Sequence, residues 1–98
     1  MIVGVSRIEL HIPQARSLKD KRQVIKSLAH KISHRFNVSV SEVANHELWQ
    51  IGTIAVAHVA NTRTDVEKLL RNVTAFAEGA SGGEMIRSTY DFYNPEKD

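Results

Sequence analysis

Twice within 98 residues, the hydrophobic period of this chain passes from two to 3.6 and back to two. Residues 2–12 alternate, with Ile8, Leu10 and Ile12 on one face and Arg7, Glu9 and His11 on the other, and Pro13 ends the run. Leu18, Ile25, Leu28 and Ile32, flanked by Val24 and Ala29, then recur at helical spacing as far as Arg35. Val38 and Val40 restore a strand over Asn37–Ala44, and a phase slip at Val43 predicts a bulge. After an Asn45-His46-Glu47 turn the same series of elements repeats. A strand runs from Trp49 to Ala60, and a helix follows with the stripe Val66, Leu69, Leu70, Val73, Phe76 and Ala77. A last strand, Glu84–Tyr93, puts Ile86, Tyr90 and Phe92 on one side. The β-α-β-β-α-β order points to the ferredoxin-like α+β class, a four-stranded antiparallel sheet with two helices on one face.

The ends of these elements carry their own signals. Ser17 followed by Asp20, and Thr64 followed by Glu67, resemble capping boxes that start the two helices. Gly79-Ala80-Ser81-Gly82-Gly83 reads as a mobile connector, and residues 94–98 as a frayed tail after a single domain spanning 1–93. The third strand is unusual because neither face is clearly polar. Gly52, Ile54, Val56 and His58 lie on one side, and Ile51, Thr53, Ala55, Ala57 and Val59 on the other. In a sheet with helices on one face only, this implies a cover for the open face, and the expected cover is a second copy of the chain.

Composition excludes several function classes. With no cysteine there is no disulfide, no thiolate nucleophile and no cysteine-ligated metal. The Met1–Arg7 segment has no basic leader, and no apolar run approaches the roughly 18 residues of a membrane span. A cytoplasmic protein without a membrane role is expected. No serine sits in a G-x-S-x-G context, and the acids Asp65 and Glu67 are explained by helix capping. His30 and His34, at i and i+4, lack a third ligand on their face and sit among cations. The chain therefore reads as a binding protein, not an enzyme, with no cofactor and no metal.

Charge is unevenly placed. The net +2 divides into +4 for residues 1–50 and −2 for residues 51–98. Most of the excess lies where the first helix opens, at Arg16, Lys19, Lys21, Arg22 and Lys26. A helix N-terminus already carries partial positive charge, so clustered cations there imply an external anion, with Ser17 at the helix start completing the candidate site. Lys19, Arg22 and Lys26 share one helix face. The third strand has no aromatic residue after Trp49, and the K/R-G-F/Y motif is missing, which disfavours a base-stacking sheet platform. Phosphates of structured RNA are the ligand that this pattern fits best. Trp49, at the start of a strand, reads as a core or interface anchor.

Several segments in order and at matching spacing are similar to the YlxP-like family of small bacterial proteins. They are Arg7-Ile8-Glu9-Leu10-His11-Ile12-Pro13, Ala15-Arg16-Ser17-Leu18-Lys19-Asp20-Lys21-Arg22, Arg35-Phe36-Asn37-Val38-Ser39-Val40-Ser41-Glu42-Val43 and Leu48-Trp49-Gln50. The resemblance covers roughly residues 1 to 77. It implies a ferredoxin-like fold and, through neighbouring translation genes in such bacteria, an association with RNA or a ribosomal subunit. It supplies no catalytic residues. The expectation is a homodimeric accessory factor that binds RNA or a ribosomal particle through its basic helix. The alternative is a dimeric protein-interaction or small-ligand regulatory module with no nucleic-acid role.

Overall fold

The computed structural model describes residues 1–96 in the order β1 (Ile2–His11), α1 (Leu18–Arg35), β2 (Ser39–Ala44), β3 (Ile51–Ala60), α2 (Arg63–Ala80) and β4 (Glu84–Tyr93). Helix α1 begins as its sequence requires. Ser17 is extended, its Oγ accepts from the Asp20 N–H, and Asp20 Oδ2 accepts from the Arg16 N–H at 3.0 Å. The second helix starts two residues earlier than its sequence suggests. Thr62 is the extended residue before the first turn, and its Oγ1 accepts from the Asp65 N–H, so Thr64 lies inside the helix. Glu67 then bonds Arg71 four residues on instead of closing a box with Thr64.

All strand pairs are antiparallel, in the order β2-β3-β1-β4, which gives the ferredoxin-like α+β fold. Register decides which residues the helices cover. Leu10 pairs with Gly52, Ile8 with Ile54 and Ser6 with Val56, and all six are buried on one face. Helix α2 lies over β1 and β3, while α1 lies over β2 and β3. Leu28 and Ile32 of α1 and Val66, Leu70, Val73 and Ala77 of α2 meet Ile8, Leu10, Ile54 and Val56 in one core. Each of the valine, leucine and isoleucine side chains contributes about 1.5–3 kcal/mol when fully buried. At Gly4 the side chains of α2 pack directly on β1. A Cβ there would overlap Val66 and lie 2.8 Å from a Leu70 methyl carbon. At the far end of the helices Phe36 and Phe76 meet edge to face, 5.7 Å between centroids.

The bulge at Val43 is present as a register shift between Glu42 and Ala44. The third strand begins at Ile51, so Trp49 lies in the preceding loop instead of in the sheet. A second shift opposite Glu9 and Leu10 displaces Ile86 outward, and Met85 takes its place in packing against the core. The glycine segment is not a free connector. Helix α2 runs through Gly79, Gly82 adopts a φ of 71°, and a Cβ on Gly83 would overlap the His11 carbonyl at the end of β1. In the tail, Glu96 lies 3.7 Å from the N-terminal ammonium. The last two positions of the expected frayed segment, 97 and 98, lie outside the described residues.

Candidate functional site

The first helix turns each candidate side chain differently. Lys19, Arg22 and Lys26 fall at i, i+3 and i+7, and His30 extends the row at i+11. All four are exposed, as is Arg16 just ahead of the helix. At 1.5 Å rise per residue the three cations span about 10 Å along the axis. Among the described residues none of Arg16, Lys19, Arg22 and Lys26 pairs with a carboxylate, the four ion pairs being Met1–Glu96, His11–Glu84, Lys21–Glu42 and Arg71–Glu67. Lys31 and Arg35 belong to other faces. Lys31 lines a groove of about 440 Å³ beside α2, and Arg35 stacks over the Phe76 ring at 4.9 Å.

Two residues expected at the anion site are used within the chain. Ser17 caps the helix, and the anion at this N-terminus is the chain's own Asp20. Lys21 is fully buried and cannot meet an external phosphate. Its position explains why: it stands four residues before Ile25 and seven before Leu28, within the stripe that α1 presents to the sheet. Its Nζ donates to the carbonyls of Asn45 at 2.6 Å and Ile51 at 3.2 Å, with the His46 carbonyl at 3.4 Å. Glu42 Oε2 completes the cage at 3.2 Å. A buried ammonium is tolerated only with such compensation. Apart from this ion pair, Glu42 Oε2 has no hydrogen-bond partner.

The cage fixes the segment that carries Trp49. Asn45 adopts a φ of 61°, its amide donates to Thr53 Oγ1 at 2.7 Å, and Lys21 grips the carbonyls on either side of the loop. Gln50 ties the same loop to the approach to α1. Its carbonyl accepts from the Ile12 N–H at 2.6 Å, and its Nε2 donates to the Pro13 and Ala15 carbonyls, both at 3.1 Å. Trp49 therefore precedes a residue bonded to Ala15, the sequence neighbour of Arg16. It is nevertheless 58% exposed, and Leu48 45%. The expected burial as a core anchor does not occur, because the strand starts two residues later and the indole stays outside the sheet. The signal for this was present in Gln50, a polar residue at what would have been the second position of a buried strand.

The open sheet face divides by chemistry. Ser39, Ser41, Ala55 and Ala57 of β2 and β3 are small. Arg7, Glu9, Arg87 and Asp91 of β1 and β4 carry both signs of charge. Arg7, Glu9, Arg87 and Thr89 line a depression of about 180 Å³. Elsewhere His30 and His34 stack, with ring centroids 5.8 Å apart. No helix among the described residues is long and apolar enough to cross a membrane.

The model of the family "Protein of unknown function (DUF503)" matches residues 3–90. The "Uncharacterized protein YlxP" of Bacillus subtilis is 36% identical over 77 residues, which span 79% of this chain and 84% of that protein. Among solved structures, the Arabidopsis thaliana protein At3g17210 aligns over 93% of this chain and 94% of its own, with 14% identity and a TM-score of 0.45.

Proposed function

Because the chain belongs to the DUF503 family of proteins of unknown function, we propose its role from its surface: it binds structured RNA, free or within a ribosomal particle, through Arg16, Lys19, Arg22 and Lys26. The observation that supports this is a row of exposed cations on one face of α1 with no carboxylate partner among the described residues. Cations that are not neutralised within the fold are free to displace counterions from phosphates. Long flexible side chains on a rigid helix suit a backbone whose spacing varies little with sequence. The recognition is of phosphate and shape, and the helix supplies no chemistry.

The test is binding to ribosomal RNA and to ribosomal subunits across a salt series. Four phosphate contacts give a slope of log affinity against log salt of about −3.6, a loss of about two orders of magnitude between 50 and 200 mM. Arg22→Ala with Lys26→Ala halves that slope, so the same salt increase costs only about tenfold. Neither residue is buried or, among the described residues, paired, so the double variant is expected to retain the parent fold. A parent slope near zero refutes the proposal.

A second reading concerns the open sheet face, and it is compatible with the first. The charged half holds Arg7 and Arg87 beside Glu9 and Asp91, so it is self-complementary under a two-fold rotation, and the small side chains of β2 and β3 permit close sheet contact. These two features favour a second copy of the chain as its cover.

A further inference from the structure

We infer that Trp49 is a stacking platform for an unpaired base in the RNA whose phosphates meet α1, an inference that rests on the proposed RNA binding. Large apolar side chains exposed on a loop are costly to solubility, and most loops that carry them are loosely held. This one is fastened at both ends. Lys21 holds the Asn45 and Ile51 carbonyls, and Gln50 holds Pro13, Ala15 and, through its own carbonyl, Ile12. The fold thus presents the indole outward on a segment already ordered, so a ligand that stacks on it pays little further conformational entropy. The charge on the helix start to which the loop is tied selects the ligand. Arg16 follows the residue whose carbonyl Gln50 binds, and Lys19 and Arg22 stand on the next turns of α1. An exposed aromatic ring on a loop tied to the start of a helix whose cations have no carboxylate partner among the described residues fits a nucleotide, whose base stacks while its neighbouring phosphates meet the cations. An apolar protein surface would leave those cations without partners. The platform lies outside the sheet, at the junction of the β2–β3 loop with the helix start, so the lack of aromatics within β3 does not bear on it.

Trp49 is the sole tryptophan, so fluorescence excited selectively in tryptophan reports on this site alone. The experiment compares an RNA hairpin carrying an unpaired loop with a blunt duplex of the same stem. The hairpin is expected to quench Trp49 and the duplex to leave its emission unchanged while still binding through α1. Trp49→Ala is expected to weaken hairpin binding about five- to a hundredfold without altering duplex affinity, and Trp49→Phe to restore most of the loss. Hairpin binding that is undiminished in Trp49→Ala, or equal quenching by both RNAs, overturns the stacking site while the salt slope and the Arg22/Lys26 variant still uphold RNA binding. If neither RNA binds the parent protein, the proposed function falls and this inference with it.

Discussion

Replacing Lys21 with Met tests whether the buried ammonium organises this end of the molecule. Methionine keeps the apolar stem and nearly the volume of lysine, so the change leaves little cavity and isolates the charge. Its loss removes the donor for the Asn45 carbonyl at 2.6 Å and the Ile51 carbonyl at 3.2 Å, each about 1–3 kcal/mol if left unsatisfied. It also strips Glu42, only 17% exposed at its side chain, of its cation. Breaking one member of a buried pair costs about 3–5 kcal/mol, and we expect Lys21→Met to fall in that range. For a domain of this size that is a drop in melting temperature of at least about 12 °C. The reverse change, Glu42→Gln, is expected to cost less, because the ammonium retains its carbonyl acceptors. Lys21→Met with Glu42→Leu is expected to recover about half of the single loss, since no unpaired carboxylate remains although the two carbonyls still lack a donor. Urea titration followed by circular dichroism gives all three values. A Lys21→Met protein within about 1 kcal/mol of the parent refutes the reasoning.

Two further outcomes follow from the packing and the open face. Gly4→Ala forces a methyl into Val66 and Leu70 at the helix–sheet crossing, and we expect a destabilisation of about 1–3 kcal/mol in the same urea assay. Ala57→Glu places an acid on the open face, which is expected to shift sedimentation from dimer to monomer without loss of secondary structure; a parent protein that sediments as a monomer refutes the two-fold reading.

The architecture was legible because it is written redundantly. In β1, the alternation of Ile8, Leu10 and Ile12, the stop at Pro13 and the Ser17–Asp20 cap all agree, and the structure follows them to within a residue. Where two local signals competed, sequence alone chose less well. Thr62 and Thr64 are both followed three residues later by an acid, and only the backbone at Thr62, extended at φ −126° and ψ 152°, settles which one caps α2. The third strand shows that apolar character on both faces does not reveal which face the helices cover. Register does, by pairing Ile8 with Ile54 and Leu10 with Gly52.

In sequence Lys21 belongs to the run of cations that opens α1, but burial follows the angle around the helix, and Lys21 occupies an apolar angle. Its partners come from Glu42 beside the bulge and from the loop it grips, a juxtaposition made only by the fold. The consequence is structural economy at the surface. The same buried lysine that is lost to phosphate contact anchors the loop that carries Trp49, and together with the Gln50 bonds it ties that loop to the start of α1. If that is so, Lys21→Met, studied at a temperature where it remains folded, should lose the hairpin quench of Trp49 while keeping the salt slope that Arg16, Lys19, Arg22 and Lys26 provide. A variant that keeps both shows that the loop and the helix act independently, and removes the link between stability and binding.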